Sequence, residues 1–358
     1  MTLHEELDDA RSALVMINPA PFNAEAPPAA LAGEITATRL HYVRSNFAVP
    51  EHDGTLEIGG AVDSPTSLTV EDLRAMPSRE QAVTLECAGN GRLDMRPLPT
   101  GEPWGDHAVS TARWTGVPLH EVLQRVGPST AGVHVRFEGA DHGGYHLTPV
   151  LPETGSDLAF VRALPLAQAT DPDAGILIAY LMNGEPLGPD HGSPMRLIVP
   201  HWYAVASVKW LKRIDILTEP FVGEFQTGHY MYQWPDRDPE PVTRMRVRAR
   251  ITDPAPGSTI EAGTYTVRGK AWSGSGPITH VDVSLTGEGD WQPATVEPPK
   301  DPSQWQDWSF VWEASGVGRH TLRARATDAA GNVQPDVPPW NRLGYGNNAI
   351  EVPFVDVR

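Results

Sequence analysis

The sequence predicts an α+β protein, in which a mixed domain of strands and short helices precedes an all-β sandwich. The 35 Pro and 33 Gly residues indicate many turns and a loop-rich, strand-rich chain. Between residues 40 and 240, segments with strand and helix patterns occur together. The Pro/Asp-rich stretch "WPDRDPEPVT" (234–243) ends this region, and only strand-like segments follow it.

The mixed region contains seven segments with a recognisable pattern. Strands are predicted at "TLEIGGAV" (55–62), "GVHVRFEGA" (132–140), "GILIAYLMNG" (175–184), "MRLIVP" (195–200) and "VKWLKRIDIL" (208–217). A short helix is predicted at "TVEDLRAMP" (69–77), which Pro77 ends. Apolar residues at helical spacing predict a second helix at "VPLHEVLQRVG" (117–127), with Gly127 as its stop signal.

Beyond the linker, alternating segments are separated by Gly, Pro and Asp turns. They are "RMRVRARI" (244–251), "TYTVRGKAW" (264–272), "ITHVDVSL" (278–285), "DWSFVWEA" (307–314), "HTLRARAT" (320–327) and "AIEVPFVDV" (349–357). Such a run of short strands is typical of an immunoglobulin-like β-sandwich. The glycine-rich "SGSGP" (273–277) is predicted to be a hairpin loop.

These patterns divide the chain into three parts, an N-terminal arm (1–39), the mixed domain (40–240) and the sandwich (241–358). Thr2 and Glu5 have the spacing of a helix capping box. The Pro/Ala-rich stretch "NPAPFNAEAPPAALAG" (18–33) is expected to be extended.

Composition excludes several classes of function. The net charge of −17 argues against a nucleic-acid partner, because an acidic protein repels phosphates. The single cysteine excludes an intrachain disulfide, an all-cysteine metal site and a covalently attached haem. The start of the sequence lacks the basic segment and following apolar stretch of a signal peptide. No apolar run reaches the roughly 20 residues of a membrane span. We expect a cytoplasmic protein without a membrane partner, although a processed start would leave a periplasmic location open.

The first candidate for chemistry is "TLECAGNGR" (84–92), which contains Cys87 at the predicted end of a strand. A lone cysteine is often only a small buried residue. Here Gly89 and Gly91 permit close approach of a bulky ligand to the backbone, and Arg92 favours a thiolate. A thiolate binds soft or high-valent metals. A catalytic nucleophile is a further possibility, although no motif identifies its histidine partner.

Two further stretches suit an anionic ligand. His191 and Arg196 lie five residues apart around a Gly-Ser-Pro turn in "DHGSPMRLIVP" (190–200), a pattern that suits a phosphate. Lys209, Lys212 and Arg213 form a basic cluster in an acidic chain. The alternatives are a surface turn and a solvated strand face.

The fourth candidate is the aromatic stretch "FQTGHYMYQW" (225–234), in which Tyr230 can donate or accept a proton. Its alternative is an aromatic plug at the domain boundary.

Taken in order, these stretches resemble the sulfite oxidase family of molybdenum enzymes. The resemblance rests on "HYVRSNFAVP" (41–50), "LECAGNGR" (85–92), "FEGAD" (137–141), "PDHGSPMRLIVP" (189–200), "VKWLKRI" (208–214), "AWSGSGPITHVDVSL" (271–285) and "NVQPDVPPWNRLGYGNNAIEV" (332–352). It extends over roughly residues 40–358. It implies a molybdopterin-binding catalytic domain at 40–240 and a dimerisation domain at 241–358.

The resemblance also implies the role of each site residue. Cys87 would be the protein ligand to molybdenum, Tyr230 the active-site tyrosine, and Arg44 and Arg92 the lining of the pocket for an anionic substrate. The pterin cofactor would contact Tyr42, Val43, Arg44, Ser45, Asn46 and Asp141. Its phosphate would meet His191, Arg196 and the backbone near Ser207, Val208 and Lys209.

The implied reaction is oxidation of sulfite to sulfate by oxygen-atom transfer, with electrons passed to an external acceptor. The implied assembly is a homodimer, and no haem is expected. The chain departs from the family where Ser45-Asn46 replaces a common Asn-His, Gly91 replaces a common second arginine, and 273–277 has no arginine. In addition, His229 stands where an acidic residue is common. The pocket is therefore less positive than usual, which leaves two alternatives open: reduction of sulfoxides or other oxyanions, and a non-enzymatic binding protein with a degenerate site.

Overall fold

The computed structural model describes residues 11–144, 157–287 and 289–358. The capping box predicted at Thr2 and Glu5 lies outside the described residues. The stretch expected to be an extended arm is instead a hairpin of β1 (Val15–Pro19) and β2 (Phe22–Glu25), followed by a 3-10 helix at Pro28–Ala32. Ala24, Ala26 and Leu31 are buried, so this segment packs against the body of the protein.

The mixed region is mainly strand. Its strands after the hairpin are β3 (Thr55–Gly60), β4 (Thr66–Thr69), β5 (Arg79–Glu86), β6 (Val109–Pro118), β7 (His134–Gly143), β8 (Leu158–Pro165), β9 (Leu177–Met182), β10 (Glu185–Pro186), β11 (Arg196–Ile198), β12 (Leu211–Leu217), β13 (Met231–Tyr232) and β14 (Glu240–Pro241). Short 3-10 helices lie at Thr38–Leu40, Arg92–Asp94, Pro172–Ala174, Pro189–His191 and Ala204–Ala206, and a π-helix lies at Glu224–Gly228.

Three short α-helices complete this region: α1 (Val70–Ala75), α2 (Leu119–Val126) and α3 (Leu166–Ala169). The Thr69 hydroxyl accepts a hydrogen bond from the Asp72 amide, and Asp72 accepts one from the Thr69 amide, so a capping box begins α1. Gly127 ends α2 with φ 63, a conformation that glycine adopts without strain. Both predicted helices are confirmed, because their local capping signals agree with their apolar spacing.

Two five-stranded sheets form the body of the mixed region. One has the order β10-β9-β6-β5, with β11 also paired to β9, and the other has the order β4-β3-β12-β7-β8. Only the β12–β3 pair among these strands is parallel. The last six residues of β5 are buried, and the chain turns immediately beyond it at Cys87.

The C-terminal region is all-β. Its strands are β15 (Arg248–Asp253), β16 (Thr259–Ile260), β17 (Gly263–Trp272), β18 (Ile278–Ser284), β19 (Gln292–Pro293), β20 (Thr295–Val296), β21 (Gln306–Ala314), β22 (Gly318–Thr321), β23 (Arg323–Asp328) and β24 (Phe354–Val357). They form sheets ordered β15-β17-β21-β20, β16-β24-β22 and β19-β18-β23 around a separate apolar core. This is the predicted sandwich.

Two local predictions in the sandwich are wrong. The 273–277 loop joins β17 to β18, which belong to different sheets, so it is not a hairpin loop. The segment predicted as a strand at 349–357 is strand only in Phe354–Val357, because Asn347 and Asn348 hold the residues before it against other parts of the chain. The domain boundaries at 39/40 and 240/241 stay predictions. None of the helices in the described part of the chain has the length and apolar character that a membrane crossing requires.

Candidate active site

Most of the predicted site residues line one cavity beside Cys87, which has about 660 Å³ of empty space and opens in part to solvent. It is lined by His41, Tyr42, Val43, Arg44, Ser45, Asn46, Leu85, Cys87, Ala88, Asp141, Phe160, Asp190, His191, Arg196, Ala204, Val205, Ser207, Lys209 and Tyr230. These residues come from the loop at 41–46, the end of β5 and the turn after it, β7, β8, the stretch 190–209, and Tyr230. A second cavity of about 950 Å³ adjoins it and shares Arg44, Asn46, Cys87 and Tyr230 with it.

Cys87 lies in a tight turn directly after β5. Its amide donates to the Ala108 carbonyl at 2.8 Å, and its carbonyl accepts from the Asn90 amide at 2.9 Å. Gly91 has φ 77, and a Cβ atom there would lie 2.9 Å from Asn347. Glycine is therefore required at this corner for conformational and steric reasons.

The Cys87 thiol is buried, and burial raises its pKa above the ordinary value. Arg44 opposes this effect more strongly than Arg92 does, and the Gly89 amide also lowers the thiol pKa. The prediction that Arg92 favours a thiolate is thus right in direction, but burial outweighs it. Arg44, far away in sequence, contributes the larger positive field.

One end of the cavity contains buried cations. Arg196 donates to the carbonyls of His191 and Ser207, both at 3.0 Å, and Lys209 donates to the Ser45 hydroxyl at 2.7 Å and the Asp190 carbonyl at 2.9 Å. Burial lowers the pKa of Arg196 to about 10. It also lowers the pKa of His191 to about 3, with further contributions from Arg196 and Lys209.

Lys209 and Asp141 are a coupled buried pair in the same part of the cavity. Burial raises the pKa of the Asp141 carboxyl, and burial together with Arg196 lowers the pKa of Lys209. An anion bound here would favour the protonated lysine, because opposite charges stabilise one another in a site of low dielectric constant. The cluster is therefore a receptor for negative charge.

Three buried polar atoms of the cavity residues have no hydrogen-bond partner within the described ranges: His41 Nε2, Asp141 Oδ1 and Arg196 Nε. Buried polar groups are almost always paired, since an unpaired one loses its hydration without compensation. Three such atoms facing one cavity indicate that a polar ligand completes their hydrogen bonds. These atoms are a ring nitrogen of His41, a carboxyl oxygen of Asp141 and a guanidinium nitrogen of Arg196, and Cys87 adds a thiol to the same cavity. This combination of groups fits a large polar cofactor.

The loop of residues 42–46 forms the wall between the two cavities. Val43 forms a bridge with Ala24 of β2, so the hairpin holds this loop in place. The Arg44 guanidinium donates to the Ser45 carbonyl and, at 2.6 Å, to Asn46 Oδ1. These contacts hold the Arg44 side chain where, like Cys87, it lines both cavities.

Arg92 lines the second cavity rather than the first. Its Nε donates to the Leu343 carbonyl at 2.9 Å, and its Nη1 donates to the Glu102 carbonyl at 2.7 Å. The guanidinium also lies over the Tyr345 ring, 5.2 Å from its centroid. Two of its donor directions are thereby occupied by the backbone.

Tyr230 lies at the junction of the cavities. Its hydroxyl is 3.5 Å from both Arg44 Nη2 and Asn46 Oδ1. Its backbone has φ 56, which is rare for a bulky residue, and its carbonyl accepts from the Val242 amide at 2.8 Å. Such strain persists only where surrounding contacts hold it, and it is common at functional sites.

Some predicted residues do not line the first cavity. The side chain of Val208 is fully buried in the core and lines neither cavity, whereas the implied phosphate contact at this position is through the backbone. The basic cluster at 209–213 does not converge on one ligand. Lys212 pairs with Glu138 at 3.0 Å, and Arg213 pairs with Glu57 and Asp215, so both belong to a surface network of ion pairs.

Several residues that line these cavities are not among the predicted site residues, and four of them have polar or aromatic side chains of interest: His41, Asp190, Trp104 and Tyr345. His41 and Asp190 are each next to a predicted residue, Tyr42 and His191. The stretches that point to those neighbours could therefore also have pointed to them. Trp104 and Tyr345 line the second cavity. Tyr345 lies more than 250 residues after Cys87 in a stretch without regular structure, and no local pattern predicts its return to the site.

Two protein-family models match the chain. The model described as "Oxidoreductase molybdopterin binding domain" matches residues 46–225, and the one described as "Mo-co oxidoreductase dimerisation domain" matches residues 240–351. The first match contains most of the cavity-lining residues. The second contains Tyr345.

Characterised relatives agree with these matches. The mitochondrial sulfite oxidase of Macaca fascicularis is 37% identical over 92% of this chain, and that of Homo sapiens is 36% identical over 92%. The chain spans 63% of the length of these relatives. Nitrate reductase [NADH] 2 of Phaseolus vulgaris is 35% identical over 92% of the chain, which covers 40% of that protein.

A solved structure has the same fold over nearly the whole chain. The sulfane dehydrogenase SoxCD from Paracoccus pantotrophus matches with a TM-score of 0.81 and 27% identity, covering 99% of this chain and 90% of the other. The matched domains, the relatives and this structure lead to one assignment. The chain is a molybdopterin oxidoreductase of the sulfite oxidase family.

Proposed function

We propose that this protein oxidises sulfite to sulfate at a molybdenum cofactor held by Cys87. The observation that carries the proposal is that Cys87 lies where a cavity lined by Arg44, Arg196 and Lys209 meets a second cavity. A group bound through its thiolate would be within reach of the residues that line both cavities.

The first cavity has the chemistry to hold the molybdopterin. Arg196 and Lys209 would receive its phosphate as buried cations, and His191, which is neutral near pH 7 because its pKa is lowered to about 3, would contact it through a ring nitrogen. His41 Nε2 and Asp141 Oδ1 would bond polar atoms of the pterin, which would remove their present lack of partners. Tyr42, Val43, Ser45, Asn46 and Ser207 would form the walls.

The second cavity would receive the substrate. Arg44 and Arg92 both contribute positive charge beside Cys87, so a small oxyanion would be attracted to this position. Conversion of sulfite and water to sulfate releases two protons and two electrons. When bound, the molybdenum cofactor would supply the oxygen-atom transfer and accept the two electrons. The electrons would then pass to an external acceptor.

Tyr230 would hold the substrate or move a proton. Its hydroxyl is next to Arg44 and Asn46 at the boundary of the cavities, so it can bond an oxygen atom placed near Cys87. The two protons released by the reaction need a route to solvent. A phenol hydroxyl between a guanidinium and the second cavity is suited to begin that route.

A second candidate is reduction of an oxyanion or a sulfoxide with the same fold. The position of Arg92 favours it, because carbonyls of Leu343 and Glu102 already occupy part of its guanidinium. A substrate with less negative charge than sulfite needs less cationic compensation. The 35% identity to a nitrate reductase also supports this candidate.

Paired assays separate the candidates. We expect purified, molybdenum-loaded protein to reduce ferricyanide when sulfite is added, and to be much slower with reduced viologen and either nitrate or a sulfoxide. Turnover of nitrate or a sulfoxide without turnover of sulfite would overturn the proposal in favour of the second candidate. A protein without molybdenum, made in a host that synthesises the cofactor, would instead indicate a non-enzymatic binding protein.

We further propose a homodimer formed through the sandwich. The support is the match of residues 240–351 to a dimerisation domain.

A further inference from the structure

The carboxylate next to Cys87 is bound mainly by the other domain. Glu86 is buried, and its Oε1 accepts from Asn90 Nδ2 at 2.9 Å within the same turn. Its Oε2 accepts from Trp272 Nε1 at 2.9 Å, and Arg248 Nη1 lies 3.4 Å from Oε1. Trp272 and Arg248 belong to β17 and β15 of the sandwich.

Arg248 joins this carboxylate to three other groups. Its side chain is 2% exposed, and it contacts Asp106 Oδ1 at 2.5 Å and Glu351 Oε1 at 2.9 Å. Its Nη1 also donates to the Asn347 carbonyl at 3.2 Å. One buried guanidinium therefore links the strand before Cys87, the loop that contains Asp106, and the C-terminal segment.

The C-terminal segment closes the same turn through its backbone. The Gly346 amide donates to the Ala88 carbonyl at 2.7 Å, and Asn347 Nδ2 donates to the Gly91 carbonyl at 2.6 Å. The Asn347 carbonyl is the one that Arg248 holds. Arg248 thus supports both sides of the Cys87 turn, Glu86 before it and Asn347 around it.

We propose that Arg248 is a positioning residue for Cys87, so that the sandwich domain contributes to the metal site as well as to assembly. A guanidinium binds several carboxylates in a fixed planar arrangement, which a lysine cannot reproduce. Loss of one partner from a buried ionic network leaves charges unpaired and destabilises what the network holds. Here the network holds the turn that presents the thiol.

The part of this inference that concerns the metal rests on the proposed function, in which Cys87 is the ligand. The part that concerns the turn does not, and the sole cysteine allows it to be measured separately. Alkylation by iodoacetamide in cofactor-free, full-length protein reports only on Cys87. Its rate increases when the turn opens more often.

The test compares Arg248→Lys, Glu86→Gln and the control Lys270→Met. Lys270 is a buried cation of the same sheet, but it pairs with Asp307 and not with the Cys87 turn. We expect Arg248→Lys to raise the alkylation rate about tenfold, the effect of weakening one buried charged hydrogen bond. Loss of molybdenum from loaded protein should become faster by a similar factor, and the thiolate-to-molybdenum absorption band should shift.

Lys270→Met should lower stability and leave the alkylation rate, the molybdenum retention and the band unchanged. If Arg248→Lys lowered the melting temperature but left those three measurements at wild-type values, the positioning role would be refuted. Should Arg248→Lys fail to fold, Glu86→Gln decides, since it keeps the shape of the side chain and removes the charge. An unchanged alkylation rate in Glu86→Gln would then refute the role.

Failure of the proposed function has a different signature. If Cys87→Ser retained its molybdenum and its turnover, Cys87 would not be the ligand. The alkylation result for Arg248→Lys would still stand.

Discussion

The ring of Tyr345 stacks on that of Tyr230, with centroids 5.2 Å apart and planes 19° apart. Tyr345 comes from the segment beyond the sandwich strands, whereas Tyr230 lies at the junction of the two cavities. The Arg92 guanidinium also lies over the Tyr345 ring, 5.2 Å from its centroid. The strained backbone of Tyr230 is therefore held in part by a residue 115 positions later.

Replacement of Tyr345 tests this support. Tyr345→Leu should lower kcat/KM for sulfite about three- to tenfold, because an aromatic pair contributes roughly 0.5–1.5 kcal/mol beyond its buried area. Tyr345→Phe keeps the stacked ring and serves as the matched control, with kcat/KM near the wild-type value. Steady-state assays with ferricyanide give the comparison. Equal kcat/KM in Tyr345→Leu and wild type would contradict a role in holding Tyr230.

Cys87→Ser should produce a folded protein with little molybdenum and almost no turnover. The serine hydroxyl is a far weaker ligand for a high-valent metal than a thiolate. Metal analysis and the thiolate-to-molybdenum absorption band provide measurements that do not depend on activity. Normal turnover of this variant would show that the ligand assignment is wrong.

The two lysines of 209–212 should differ in their effect on the cofactor. Lys209→Met should abolish retention of the cofactor, because it removes a buried cation from the proposed phosphate site. Lys212→Met changes the same residue type three positions later, where the side chain is 41% exposed and pairs with Glu138. Molybdopterin content of the purified variants is the measurement. Equal content in both would remove Lys209 from the proposed phosphate site.

Glu25 should make stability fall as pH rises. Burial raises its pKa from the ordinary value of 4.5 to about 7, with Asp106 adding to the effect against Arg250 and the His107 amide. The folded state therefore binds the proton more tightly. This stabilisation is full below pH 4.5 and is lost as pH rises through 7.

Glu25→Gln cannot ionise and isolates this effect. The stabilisation that wild type loses is at most about 3.5 kcal/mol, for a shift of about 2.5 pKa units at about 1.4 kcal/mol per unit. The difference in melting temperature, variant minus wild type, should be larger at pH 8 than at pH 5. Melting curves at the two pH values measure the difference. A constant difference between variant and wild type would contradict the raised pKa.

The full-length chain should be a dimer in solution. Light scattering should give twice the chain mass of 38.9 kDa. The whole chain is required, since Leu343 and Tyr345 belong to the core of the catalytic domain. A mass of a single chain at micromolar concentration would contradict the proposed homodimer.

Local signals in the sequence were sufficient for much of the fold. Pro77 and Gly127 act within a few residues of the helices that they end, so the sequence predicts both helices. The arm at 18–33 was misread because its Pro and Ala residues carry no strong pattern. Its hairpin is stabilised by distant contacts, such as the bridge between Ala24 and Val43.

The candidate site likewise contains residues that local signals predict and residues whose positions depend on distant contacts. Cys87, His191 and Arg196 occur in short stretches that contain a turn and a charged or soft side chain, and the structure brings all three to one cavity. The burial of Val208 and the pairing of Lys212 with Glu138 depend on neighbours from distant parts of the chain, which no local pattern specifies. The contribution of Tyr345 depends on where the end of the chain returns, which no local pattern specifies.

The hydrogen bond from Asn347 to Gly91 joins residues 256 positions apart, and it has a consequence for biosynthesis. At 5–20 residues per second, a ribosome adds roughly 10 to 50 s of synthesis between the Cys87 turn and the segment that closes it. During this interval the turn is exposed without its final contacts. The contacts around the Cys87 turn are therefore complete only after the chain has been synthesised beyond Asn347.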